Sequence, residues 1–213
     1  EACAAAYPHA SLDRLVCNAG VYGGPFTQTK QGFERTVGVC HFGHFLLFSR
    51  LAEKLRAASP GRVVMVSSES HRTPRRLNFD NFPMHPEAFR DILAYGQAKL
   101  CNVLMAAEID RRFPASELEA CALHPGAMIP TDIGRNSKVA QFFMALWRPF
   151  AKTLQQGAAT TVHCTVADPI ANGRYYADCK QKRETDEARS PEVARRLWEL
   201  TERMLGERGY EVA

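Results

Sequence analysis

Short runs of β-branched and aliphatic residues alternate along the chain with longer stretches in which apolar residues return every three to four positions. That alternation predicts an α/β protein with a parallel, Rossmann-like doubly wound sheet. Leu12 to Cys17 (LDRLVC) reads as a strand ending at Asn18-Ala19-Gly20. A helix follows from about Gln31 to Ala58 and stops at Ser59-Pro60-Gly61, a strong breaker. Arg62 to Ser68 (RVVMVSS) is a nearly continuous apolar run, the pattern of a strand buried on both faces. A polar loop rich in Pro and Arg spans Glu69 to about Arg90, and a helix is predicted from about Ile92 to Phe113. Leu118 to Gly126 (LEACALHPG) reads as a strand stopped by Pro125-Gly126. Helical segments around Val139 to Trp147 and Leu154 to Val166 lead to a last strand at Gly173 to Cys179. The closing helix has Ser190 as N-cap, Pro191 in its first position and Glu192 in its first turn. Its apolar face is Val193, Leu197, Leu200 and Met204.

The 213 residues suit one domain, and 46% hydrophobic with 23% charged residues is ordinary for a globular protein. The formal charge of +4 is scattered over arginines such as Arg72, Arg75, Arg111 and Arg195, with no basic block. No nucleic-acid partner is indicated. Seven cysteines form no CxxC pair, and Cys17, Cys101, Cys121 and Cys164 sit in apolar runs. This usage predicts free thiols in a reducing, cytoplasmic compartment. The first residues lack the bulk of a secretory signal, and no apolar stretch is long enough to span a membrane. The segment Gln141 to Phe150 is the most apolar of the second half and suits either peripheral contact with a membrane or the cover of an apolar pocket.

Candidate chemistry centres on Tyr95-Gly96-Gln97-Ala98-Lys99 together with Ser67-Ser68. Tyr95 and Lys99, four apart on a predicted helix, share a face. A phenol titrates near pH 10, and a neighbouring ammonium lowers that value. Such a tyrosine exchanges a proton with a substrate oxygen, while a serine hydroxyl stabilises charge on the same oxygen. By itself the Tyr-xxx-Lys spacing is weak, with roughly 0.2 chance matches in a chain of this composition, and is read equally well as a surface contact.

Five ordered motifs remove that ambiguity: VCNAG (Val16 to Gly20), VCHFGHF (Val39 to Phe45), RVVMVSS, YGQAK and HPG (His124 to Gly126). With them the chain resembles the short-chain dehydrogenases/reductases over nearly its whole length. Within that family it is most similar to the retinol-dehydrogenase-like branch and to the oxidoreductase domain of WW domain-containing oxidoreductases. The resemblance implies an NAD- or NADP-dependent oxidoreductase acting on a lipophilic alcohol or carbonyl, steroid- or retinoid-like. Tyr95 is then the acid/base, Lys99 lowers its pKa and holds the nicotinamide ribose, and Ser68 orients the substrate oxygen. Asn18, Ala19 and Gly20 line the adenine-ribose side, Pro125 and Gly126 bracket the nicotinamide, and Thr131 meets its carboxamide. No metal site is expected. A homodimer through the two long helices is implied by the family alone.

Two departures from the family pattern qualify this. Cys40 stands where the family has an asparagine that kinks the helix and serves the proton relay, so weaker proton shuttling and a straighter helix are expected. His41 and His44 are expected to pack or to hydrogen-bond. No G-x-G-x-x-G occurs, and Gly20, Gly23 and Gly24 follow what corresponds to the family's fourth strand. Residues 1–213 therefore read as a partial domain without the first βαβαβ portion and its cofactor fingerprint. The strand at Leu12 to Cys17 is then a bare edge, and weak cofactor binding by this chain is expected. A catalytically weak or inactive scaffold serving as a binding or regulatory module is the alternative.

Overall fold

The computed structural model of the protein describes residues 6–126 and 153–212. The helix expected around Val139 to Trp147, the apolar segment from Gln141 to Phe150, and Thr131 all lie outside the described residues.

Five strands form one sheet in sequence order: β1 (Arg14–Cys17), β2 (Gly61–Val66), β3 (Leu118–His124), β4 (Arg174–Ala177) and β5 (Lys180–Lys182). The first four are parallel, and β5 returns antiparallel to β4. Every residue of β2 is buried, as the unbroken apolar run predicts. Its side chains alternate: Val63 and Met65 enter one core cluster, Val64 and Val66 the other. The first cluster is roofed by α2 (Gly43–Arg56), α3 (Asp91–Arg112) and α5 (Pro191–Gly206). The second packs under α4 (Leu154–Val166) through Cys164. Helices therefore cover both faces, as a doubly wound sheet requires.

Arg62 fastens α4 to the sheet. It is 2% exposed, pairs with Glu119 at 2.7 Å, and donates to the carbonyls of Cys164 at 3.1 Å and Ala167 at 2.7 Å. One guanidinium thus satisfies helix-terminal acceptors and balances a carboxylate at once.

Three expectations change. The long helix starts at Arg35 rather than Gln31, because Gly32 takes φ +79° and Gln28 bridges Glu34 in a small antiparallel turn. Glu34 caps α1 (Arg35–Val37), accepting from Thr36 N at 2.7 Å and Val37 N at 2.9 Å. The helix is also not straightened by Cys40: a π turn spans Gly38–Phe42, and the Gly43 N–H donates to the Gly38 carbonyl five residues back. Gly38 is packed so that a Cβ would lie 2.6 Å from Thr29 Cγ2, which fixes the backbone here whatever residue 40 carries. Finally, the last strand turns at Asp178 and Cys179, both in the left-handed region at φ +51° and +57°, into the unforeseen β5.

The predicted start of α5 is borne out. The Ser190 hydroxyl accepts from Val193 N at 3.3 Å, with Pro191 in the first turn. Among the described residues no helix is long and apolar enough to cross a membrane. Cys17, Cys40, Cys101, Cys121 and Cys164 are buried free thiols.

Candidate active site

Because β1, β2 and β3 are parallel, their carboxyl ends lie on one side of the sheet, where ligands bind in open α/β folds. Asn18-Ala19-Gly20, Ser67-Ser68 and Pro125-Gly126 leave the sheet there.

The end of β2 is stitched to α3. Lys99, 2% exposed, donates from Nζ to the Val66 carbonyl at 2.9 Å. Asn102 Nδ2 donates to the same carbonyl at 3.1 Å, and Ser67 Oγ donates to the Lys99 carbonyl at 2.6 Å. Ser67 is thus structural, while Ser68, one residue on, faces the other way and is half-buried. Ser68 opens the 3₁₀ turn Glu69–Arg72, and its Oγ accepts from Ser70 N at 3.2 Å. Gly96 lets that turn lie against α3: a Cβ there would sit 2.8 Å from Pro74 Cδ and 2.9 Å from the Ser70 carbonyl oxygen. Tyr95, the neighbour of Gly96, is thereby brought within hydrogen-bonding reach of Ser68.

Lys99 Nζ lies 5.5 Å from the centre of the Tyr95 ring. The helix spacing read from sequence therefore does place ammonium and phenol side by side. The expected lowering of the phenol's pKa is not what this arrangement gives. Burial raises it well above its ordinary value, the neighbouring Cys40 raises it further, and the Ser68 hydrogen bond pulls it down only in part. Burial likewise lowers the Lys99 ammonium, with Cys40 opposing.

Gly20 forms the opposite wall: a Cβ there would sit 3.5 Å from Lys99 Nζ and 3.6 Å from Cys40 Sγ. Cys40, 0% exposed, offers its thiol to the Val21 carbonyl at 3.9 Å, and burial holds it protonated. Asn18 and Ala19 are exposed, with Asn18 N donating to the Val16 carbonyl at 3.1 Å. Pro125 and Gly126 are half-buried at the end of β3, and Gly126 holds φ +123°, which favours glycine. Gly20, Ser68, Tyr95 and Lys99 are thus brought together, and Asn18, Ala19, Pro125 and Gly126 stand on the same rim. His41 and His44 point elsewhere in function: His41 Nε2 donates to Thr201 Oγ1 at 2.9 Å, since the Thr201 hydroxyl proton is already given to the Leu197 carbonyl at 2.7 Å. Two neighbours escaped the sequence reading. Tyr22 packs edge-on against Tyr95 at 5.0 Å, and Asn102 donates to the Val66 carbonyl that Lys99 also uses. Only the one-turn spacing of Asn102 from Lys99 offered a signal.

The family model described as short chain dehydrogenase matches residues 1–78. The WW domain-containing oxidoreductase of Danio rerio is 43% identical over 205 residues, covering 92% of this chain and 50% of the relative. The chain is similar to short-chain dehydrogenases over its first 78 residues and to this relative over 92% of its length. Retinol dehydrogenase 12 of Mus musculus is 37% identical over 197 residues, covering 92% of this chain and 61% of that protein. A solved structure of an uncharacterised protein from Mycobacterium paratuberculosis, 27% identical, covers 97% of this chain and 70% of that one with a TM-score of 0.74. The chain spans about half the length of the WW domain-containing relatives it matches. The chain shares its α/β fold with that solved structure, with the rim described above at the carboxyl end of the sheet.

Proposed function

We propose that the chain carries the proton-transfer site of an NAD- or NADP-dependent oxidoreductase for a lipophilic alcohol or carbonyl compound. The observation that supports this best is the convergence of Ser68, Tyr95 and Lys99 beyond β2, where the strand ends meet. Two features of the rim fit a nicotinamide nucleotide. Among the described residues Lys99 Nζ makes one hydrogen bond, to Val66, which leaves N–H donors for a ribose diol. Gly20 leaves open the space beside it that any side chain would fill.

In carbonyl reduction the substrate oxygen would accept from the Ser68 hydroxyl and from the Tyr95 phenol. A phenol held high by burial is fully protonated at neutral pH, though a weaker acid than one tuned towards neutrality. When bound, the nicotinamide supplies the hydride. In the oxidative direction the phenol would have to be drawn down before it accepts a proton. Asn18, Ala19, Gly20, Pro125 and Gly126 would hold the nucleotide, with Thr131 included by resemblance. The lipophilic substrate class is supported by the similarity to retinol dehydrogenase 12.

The test is turnover of retinoid and steroid carbonyls with NADH and NADPH by the purified protein and by its Tyr95→Phe variant. Turnover that falls at least about a hundredfold in the variant supports the reading. Turnover unchanged by Tyr95→Phe refutes it. No turnover by folded protein would favour the scaffold alternative, for which Cys40 and the raised phenol already speak.

A further inference from the structure

His71 lies three residues beyond Ser68, in the turn Glu69–Arg72, and is 0% exposed. Its Nδ1 is 2.7 Å from the Ser68 carbonyl oxygen. A carbonyl oxygen only accepts, so Nδ1 carries the ring proton and Nε2 the lone pair. Burial is the largest influence on the ring and keeps it neutral.

The ring also rests on Tyr175 of β4, with centroids 4.6 Å apart. Tyr175 is itself held at both ends. Its backbone N–H donates to Glu184 Oε1 at 3.0 Å, and its hydroxyl donates to Glu69 Oε1 at 2.8 Å. Glu69 accepts in turn from Arg72 Nε at 2.8 Å, and Arg72 Nη2 donates to the Arg183 carbonyl at 2.6 Å. The segment that carries Ser68 is therefore tied to the β4–β5 hairpin. The Ser68 carbonyl accepts from the imidazole and, at 3.0 Å, from the His71 backbone N–H, and the imidazole makes the shorter contact.

We infer that His71 is a positioning residue: its Nδ1–H fixes the Ser68 carbonyl, and so aims the Ser68 hydroxyl at the substrate oxygen, with Tyr175 as the platform that holds the ring. This rests on the oxidoreductase reading for its catalytic consequence, but not for its geometry. His71 takes no proton from substrate, because its donor is spent on backbone and its other nitrogen is buried away from solvent.

Nitrogen NMR of the wild-type protein and hydrogen exchange at the Ser70 amide test the geometry without turnover. The expected results are a single neutral Nδ1–H tautomer at neutral pH, and a Ser70 amide protected in wild type and in His71→Asn but exposed in His71→Leu. Asparagine keeps an N–H that reaches the same carbonyl. In steady-state kinetics kcat should fall roughly tenfold in His71→Leu, the effect of one lost hydrogen bond, with nucleotide KM unchanged and His71→Asn largely restored. An Nε2–H tautomer overturns the inference. So does a folded His71→Leu with wild-type Ser70 protection or wild-type kcat. If the leucine variant fails to fold, the wild-type tautomer and the asparagine variant decide alone. If wild-type protein turns nothing over, the oxidoreductase reading falls while the tautomer and exchange results still judge His71.

Discussion

Two opposing fields meet at Tyr95. Burial favours the neutral phenol, and the Ser68 hydrogen bond favours phenolate; in this arrangement burial wins. The same burial acts on the histidines of the long helix. His44 is pushed down to about 4, by burial and then by Lys99, and His41 to about 3, by burial and then by His44. Both folded values lie below the unfolded value near 6.5, so the unfolded chain binds these protons first and acid favours unfolding. Stability is expected to be flat above about pH 6.5 and to fall below it by about 1.4 kcal/mol per pH unit for each histidine, continuing towards pH 4. Denaturant titrations at several pH values check this, and His41→Gln should remove one proton from the slope. A stability that rises between pH 6.5 and 4.5 would contradict the burial argument.

At the scale of elements, Gly96 decides how the Ser68 turn meets α3. Gly96→Ala places a methyl group 2.8 Å from Pro74 and 2.9 Å from a backbone oxygen, which cannot retreat as a side chain would. A loss of about 1–3 kcal/mol in denaturation midpoint is expected, together with a fall in kcat as Ser68 moves from Tyr95. Unchanged kcat in a destabilised variant would show that the turn tolerates the shift. What sequence revealed of such elements follows their physics. β2 is legible because both of its faces are buried, so its apolar run is unbroken. Tyr95 and Lys99 are legible because helix spacing alone puts them together. β5 left no trace, since Lys180, Gln181 and Lys182 are all exposed and carry no alternation. The π turn depends on a backbone bond slipping by one residue, from Gly43 to Gly38, which no side-chain pattern encodes. Tyr22 and His71 reach the site through tertiary packing against Tyr95 and Tyr175, contacts that spacing along the chain does not announce.

Across the molecule, four parallel strands point their carboxyl ends to one rim, and the chemistry gathers where β2 meets α3. α4 closes the other face through Arg62, whose paired charge and buried carbonyl contacts hold that layer in register. This rim, with Lys99 at its floor, would then receive a nicotinamide nucleotide. The measurement that tests it most directly is NADH and NADPH binding to the purified protein by protein-to-nicotinamide fluorescence transfer, beside Lys99→Met and Tyr95→Phe. Saturable binding is expected, retained in Tyr95→Phe and weakened roughly tenfold or more in Lys99→Met, where a charge-assisted hydrogen bond is lost. No saturable binding by folded protein, or binding indifferent to Lys99→Met, would contradict it.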